Sequence, residues 1–113
     1  MAKYFWNWNY KLNNMNLNDI TEKIRKLSNE NSGSIEAKIK FDFSDGCVLI
    51  NDTVSPPEVS NNNEDADCTI TVSNEDFEKI LNKEMSSMNA FMSGKMKISG
   101  EMHLAMKLSS IFG

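Results

Sequence analysis

Asn89-Ala-Phe-Met-Ser-Gly-Lys-Met-Lys-Ile-Ser-Gly100 runs directly into Glu101-Met-His-Leu-Ala-Met-Lys-Leu-Ser-Ser-Ile111. Its glycines divide it into a short apolar helix, a stop at Gly94, a brief alternating strand, a turn at Gly100 and a final helix. Gly94 suits the left-handed conformation that closes a helix. Met92, Met96, Met102 and Met106 share these pieces with Phe91, Ile98, Leu104 and Leu108. Unbranched methionines make a soft, adaptable apolar lining. In the last helix Met102, Ala105, Met106 and Ser109 fall on one face and Leu104, Leu108 and Ile111 on another.

Upstream, Ala66-Asp-Cys-Thr-Ile-Thr-Val72 alternates as a strand with Cys68, Ile70 and Val72 on one side. Ser73 or Asn74 then caps a helix with Glu75, Asp76 and Glu78 in its first turn and Lys79 and Lys83 toward its end, the order that suits the helix dipole. Phe77, Ile80 and Leu81 form its apolar face. A longer strand over residues 35–43 places Ile35, Ala37, Ile39, Phe41 and Phe43 on one face and Glu36, Lys38, Lys40 and Asp42 on the other. Asp45-Gly46 supplies positive φ angles for a hairpin into Cys47-Val-Leu-Ile50. A helix over about residues 17–28 carries Leu17, Ile20, Ile24 and Leu27 on one face, with Asn18 or Asp19 as its cap and Lys23, Arg25 and Lys26 at its negative end.

Two stretches are less determinate. Tyr4, Trp6, Trp8, Tyr10 and Leu12 alternate with Phe5, Asn7, Asn9 and Lys11, so residues 1–13 read as an aromatic extension: an edge strand or flap on the core, or an aromatic cover or membrane-interface anchor. Residues 52–65, with Pro56-Pro57 and Asn61-Asn-Asn63, hold few apolar side chains and are predicted to be a mobile loop.

A chain of 113 residues supports one domain over residues 1–113. The net charge of -4 gives no general footprint for nucleic acid. Cys47 and Cys68 lack metal-ligand spacing and read as reduced strand residues, so no metal or other cofactor is expected. No stretch approaches the roughly 20 apolar residues that span a bilayer, and no signal-peptide core interrupts the reading of a cytoplasmic chain.

Ala66-Asp-Cys-Thr-Ile-Thr, the helix carrying Phe77, Ala90-Phe-Met-Ser-Gly-Lys-Met-Lys-Ile-Ser-Gly100 and Met102-His-Leu-Ala-Met-Lys-Leu108 together resemble the sterol carrier protein type 2 domain, in order and spacing. The resemblance implies an α+β fold: a mostly antiparallel sheet of four to five strands covered on one face by helices, enclosing an apolar lipid tunnel. It implies intracellular binding and transfer of a sterol, fatty acid, fatty acyl-CoA or phospholipid. An alternative of a different class is a non-catalytic accessory module that presents a lipid or holds an apolar segment of a partner protein. Ser93 stands where the family often has Gln, and the strand that the family places between first helix and hairpin has no counterpart between Gly33 and Ile35. The last residues, Ser110-Ile-Phe-Gly113, lack the peroxisomal tripeptide of many relatives.

Periodicity alone reads the apolar helix faces as core. With the resemblance, Phe77, Ile80, Leu81, Phe91, Met92, Met96, Met102, Ala105 and Met106 become the expected lipid-binding residues, Ala105 being the small one that leaves room. Burying a 16-carbon chain offers roughly 12 kcal/mol at about 0.8 kcal/mol per methylene, before ordering costs. His103 and Cys68 have no recognisable catalytic partners, so no enzymatic activity is expected. Lys95, Lys97 and Lys107 read as a solvated face or as a contact for lipid phosphate and a transient membrane surface.

Overall fold

The computed structural model describes residues 15–112, so the aromatic residues 1–13 lie outside the described part. Four helices and five strands follow in the order α1 (Leu17–Glu30), β1 (Lys38–Phe43), β2 (Gly46–Asn51), β3 (Glu58–Ser60), β4 (Cys68–Val72), α2 (Asn74–Leu81), α3 (Ser87–Met92), β5 (Met96–Gly100) and α4 (Met102–Phe112). The strands form one sheet ordered β3-β2-β1-β4-β5. Three of its four pairings are antiparallel; β1 and β4 run parallel. This is the mostly antiparallel α+β sheet expected from the sequence.

The alternation of β1 and β4 sets the layers. Ile39, Phe41 and Phe43 on β1, with Cys68, Ile70 and Val72 on β4, face the helices and are buried. They join Ile20 and Ile24 of α1, Phe77 and Ile80 of α2, and Leu104, Leu108 and Phe112 of α4 in one core. No helix among the described residues is long and apolar enough to cross a membrane.

α1 is capped earlier than expected. Asn16 is the cap: its side chain accepts from the Asp19 amide at 2.9 Å while Asp19 accepts from the Asn16 amide at 3.3 Å, a reciprocal capping box. Asp19 is thus the third helical residue of that box. The helix also runs on to Glu30, which leaves Lys23, Arg25 and Lys26 within its body instead of at its end. Arg25 turns to the sheet edge and donates to the Val59 carbonyl at 2.9 Å.

The hairpin differs in detail. Phe43 pairs with Gly46, so Ser44 and Asp45 are the loop, and only Gly46 carries a positive φ, of 144°. The Asp45 carboxylate instead accepts from the Leu17 amide at 3.2 Å and the Asn74 side chain at 3.1 Å, pinning the starts of α1 and α2 to the hairpin.

Two further expectations change. The strand predicted over residues 35–43 enters its ladder only at Lys38, because Glu36 adopts φ 55°. The amides of Gly33, Ile35 and Glu36 instead converge on the buried Asp52 carboxylate at 2.8–2.9 Å. Burial works to raise the Asp52 carboxyl, but the three amide donors outweigh it and hold it below its ordinary value.

The segment 52–65 is also not structureless. It contributes β3, paired to β2 and anchored by buried Val59, and it buries Pro57. From β3 at one edge the chain must pass β2 and β1 to reach β4, and it does so across the sheet face away from the helices. Lys40 donates to Asn63 at 3.0 Å, and the Cys47 thiol contacts the carbonyls of Asn61 and Asn62 at 3.7 and 3.5 Å. Backbone pairing and polar contacts, invisible to a count of apolar residues, hold this strap.

Candidate functional site

The two chain reversals that shape the site end their helices in the same way. After α2, Lys83 takes φ 63°, its amide bonds the Ile80 carbonyl at 3.1 Å and the Glu84 amide bonds Lys79 at 2.8 Å. After α3, Gly94 takes φ 81°, its amide bonds Phe91 at 3.2 Å and the Lys95 amide bonds Ala90 at 2.8 Å. Both are Schellman closures, and they turn the chain from α2 through α3 into β5. Serines cap the two helices: Ser73 accepts from Asp76 and Ser86 from Asn89.

β5 lies antiparallel to β4, with Ile98 opposite Ile70 and Met96 opposite Val72. At its end Gly100 has φ 98°, and a Cβ there would collide with the Asp67 carbonyl oxygen. That same carbonyl accepts from the Glu101 amide at 3.0 Å. The close passage therefore fixes where α4 begins.

Between α2, α3, α4 and the sheet lies a cavity of about 310 Å³. Phe41, Ile70, Met96 and Ile98 form its floor on the sheet; Phe77 and Ile80 of α2, with Phe91 of α3, wall one side. Met102, Ala105, Met106, Leu108, Ser109 and Phe112 line it along α4. Among the described residues, Ser87 and Ser109 bring the only polar side chains to it, two hydroxyls. Its open side is marked by apolar side chains in contact with solvent: Met88, Phe91, Met102 and Met106 are 58%, 39%, 44% and 63% exposed. Its inner end is aromatic. Phe41 and Phe77 are 5.1 Å apart, and Phe112 stands edge-on to Phe41 at 5.6 Å.

Of the side chains expected to meet lipid, Phe77, Ile80, Phe91, Met96, Met102, Ala105 and Met106 line this cavity. Leu81 and Met92 do not. Leu81, one residue past Ile80, is rotated about 100° around α2 and packs against the core from outside the cavity. Met92 is rotated likewise from Phe91, is 77% exposed, and borders a separate surface depression with Lys79, Asn89 and Lys95. The Ser93 hydroxyl bonds back to the Ala90 carbonyl at 3.3 Å.

Phe41, Ile70, Ser87, Met88, Ile98, Leu108, Ser109 and Phe112 are further lining residues outside the expected lipid contacts, although the sequence already places Ser109 on the lining face of α4. Strand alternation marks Phe41 and Ile70 as inward, but it cannot tell a side chain facing another side chain from one facing empty space. Leu108 also blurs the expected division of α4, being both core and cavity wall, while Phe112 joins the buried face and Ile111 is only partly buried.

Cys68 and His103 both lie outside the residues that line the cavity. Burial pushes the Cys68 thiol up, a backbone hydrogen bond at Ala105 works against that, and the Glu101 charge adds to it. His103 is exposed on α4 and outside the cavity lining. Among the described residues no cluster of three His, Cys, Asp or Glu side chains forms a metal site.

Comparison with known proteins places this architecture. Sterol carrier protein 2 of Homo sapiens is 45% identical over 51 residues, which are 45% of this chain and 9% of that protein. Peroxisomal multifunctional enzyme A of Dictyostelium discoideum is 51% identical over 43 residues, 38% of this chain and 10% of that protein. The chain thus spans a small fraction of the length of these relatives. Among solved structures, apo Sterol Carrier Protein 2 from Yarrowia lipolytica superposes with TM-score 0.67 at 21% identity, covering 83% of this chain and 87% of that one. The solution structure of palmitated SCP2L2 from Aedes aegypti superposes with TM-score 0.69 at 22% identity, covering 87% and 95%. The SCP-2 sterol transfer family profile matches residues 11–113. A sheet of this order, an apolar cavity under its helices and a match along nearly the whole chain lead to one conclusion: the chain belongs to the SCP-2 sterol transfer family.

Proposed function

We propose that this protein binds a lipid with a long acyl chain in the cavity between α2, α3, α4 and the sheet, and transfers it without chemical change. Membership of a sterol-transfer family supports lipid binding and transfer as the general activity. The observation that carries the finer reading is the cavity's lining, almost wholly carbon and sulfur, closed by aromatic rings at one end and open along a methionine rim at the other side. An acyl tail needs only apolar contact and gains about 0.8 kcal/mol for each methylene taken out of water. The Ser87 hydroxyl is available to a polar head near the open side, whereas Ser109 donates its own to the Met106 carbonyl at 3.0 Å. The Aedes aegypti relative that shares this fold is palmitated, which makes a fatty acid the first ligand to try.

The methionine rim suits loading. Flexible thioether side chains can part for a tail and repack without a fixed complementary shape. Selectivity between similar chains is then weak, since one methylene in an apolar pocket discriminates by only about 1–3 kcal/mol. Phe77, Ile80, Phe91, Met96, Met102, Ala105 and Met106 are the proposed contacts.

The test is native mass spectrometry of the purified chain followed by solvent extraction, together with transfer of a fluorescent fatty acid between vesicles. A bound acyl lipid and transfer faster than the spontaneous rate are expected. A folded protein that neither carries lipid nor takes up any fatty acid or acyl-CoA at micromolar concentration overturns the proposal.

A further inference from the structure

Two internal spaces are separated by one pair of side chains. The main cavity of about 310 Å³ and a void of about 10 Å³ share Leu108 and Phe112 in their walls. Beyond that pair the void is bounded by Ile35, Ile50 and Ile111 and by the polar Ser28, Asn31 and clamped Asp52. A space of about 10 Å³ scarcely admits one water, so it is a gap behind a barrier and no binding site of its own.

Phe112 is the larger member of the barrier. It is 5% exposed and is held at its rim by Phe41 at 5.6 Å and Phe77 at 6.1 Å, both also in the main cavity's wall. It stands one helical turn beyond Ser109, where the exposed, cavity-lining face of α4 ends. The cavity is therefore stopped at this end by a ring that has free space behind it.

We infer that Phe112 is a plug that sets the length of acyl chain the cavity accepts, with the tail's methyl end against the Phe41, Phe77 and Phe112 rings. The inference rests on the acyl-binding reading above. Its magnitude follows from volume. A cavity of about 150 Å³ holds one benzene, so about 310 Å³ holds about 12 carbons. Removing the Phe112 ring frees a further benzene's worth of space and joins it to the void, which makes room for about six more carbons. The polar head then stays at the open side, on the methionine rim beside the Ser87 hydroxyl, where water can solvate it.

The test is the affinity of saturated fatty acids from about 8 to 20 carbons for the wild type, Phe112→Ala and Phe112→Leu, measured by displacement of a fluorescent fatty acid. In the wild type the affinity should rise about fourfold per methylene, the equivalent of one buried CH₂, and level off at about 12 carbons. In Phe112→Ala the rise should continue to about 18 carbons, with Phe112→Leu breaking between the two. The same break in a folded Phe112→Ala, or a wild-type rise unbroken to 18 carbons, overturns the plug while leaving acyl binding intact. A wild type that binds none of the series overturns the acyl reading itself. Should both variants fail to fold, dodecanoic acid with a diazirine at its terminal carbon can be photolysed on the wild type. Label on Phe41, Phe77 or residues 108–112 supports the inference; label confined to Met88 and Met102 at the rim overturns it.

Discussion

Ala105→Trp puts the cavity to a direct test. Ala105 is the small residue on the cavity-facing side of α4, flanked by Met102 and Met106, and the cavity holds about 310 Å³. An indole is larger than the benzene that fills about 150 Å³, so a Trp side chain there occupies about half of the space. Half of the space is about six methylenes of ligand, or about 5 kcal/mol of lost burial. Because the open side lets the ring swing partly outward, the expected outcome is at least a 100-fold rise in Kd for a fluorescent fatty acid, equivalent to about 3 kcal/mol. The control introduces the same ring at Met92, which is 77% exposed and outside the cavity; Met92→Trp should bind within about twofold of the wild type. Circular dichroism and a thermal melt separate occlusion from unfolding. If α4 does not tolerate indole, Ala105→Leu takes up about three methylenes of space and should still cost about 2 kcal/mol of binding. A folded Ala105→Trp with wild-type affinity, or a Met92→Trp equally impaired, would refute the assignment of the cavity as the lipid site.

Four other outcomes follow from the scaffold. Asp52→Ala removes the acceptor for the Gly33, Ile35 and Glu36 amides and should lower the stability measured by urea unfolding by about 3–5 kcal/mol, since charged hydrogen bonds contribute about 1.5–3 kcal/mol each and do not add fully. The Asp52 carboxyl is depressed in the folded chain relative to its ordinary value of 3.8, so its contribution is full above that value and is lost as pH falls through the lower folded value. Acid unfolding of the wild type should accordingly be steeper below about pH 4 than that of Asp52→Asn. Gly100→Ala drives a Cβ into the Asp67 carbonyl at φ 98°, and its melting temperature should fall by about 5 °C or more. Lys83→Gly has the opposite sign: a residue with a Cβ at φ 63° is replaced by one without, and a gain of about 0.5–1 kcal/mol in urea unfolding is expected.

Most of this architecture was legible because period and punctuation agree. The inward residues of β1 and β4 follow strict alternation, and Gly94 and Gly100 stand where positive φ values of 81° and 98° are needed. What could not be read depends on relations between distant segments. Asn16 caps α1 instead of Asn18 or Asp19 because Asp19 is required three residues on as its reciprocal partner, a choice local composition leaves open. β3 has one buried aliphatic, Val59, and owes its place to the β2 ladder and Arg25. For the site, helical phase picked out the α4 face that lines the cavity, but Leu81 and Met92 show its limit: a rotation of about 100° per residue moves a neighbour of a lining residue out of the cavity. Phe112 and Leu108 carried no special signal, since a buried aromatic beside a void has the same sequence as one beside another ring.

The parallel pairing of β1 with β4 bears on the order in which the molecule comes together. Its partners Ile39 and Cys68, and Phe41 and Ile70, are 29 residues apart, and the strap over residues 61–67 must cross the sheet before they meet. Phe41 and Ile70 are also side-by-side planks of the cavity floor. A partly assembled chain with only its β1–β2 hairpin and local helices therefore has no floor on which a tail can lie. On the proposed function, lipid recognises only the finished sheet and its binding energy acts on the native state alone: a ligand at 100 times its Kd would add about 2.7 kcal/mol to the folding equilibrium. Ligand and fold would in this sense be coupled, with the empty protein the less durable of the two states.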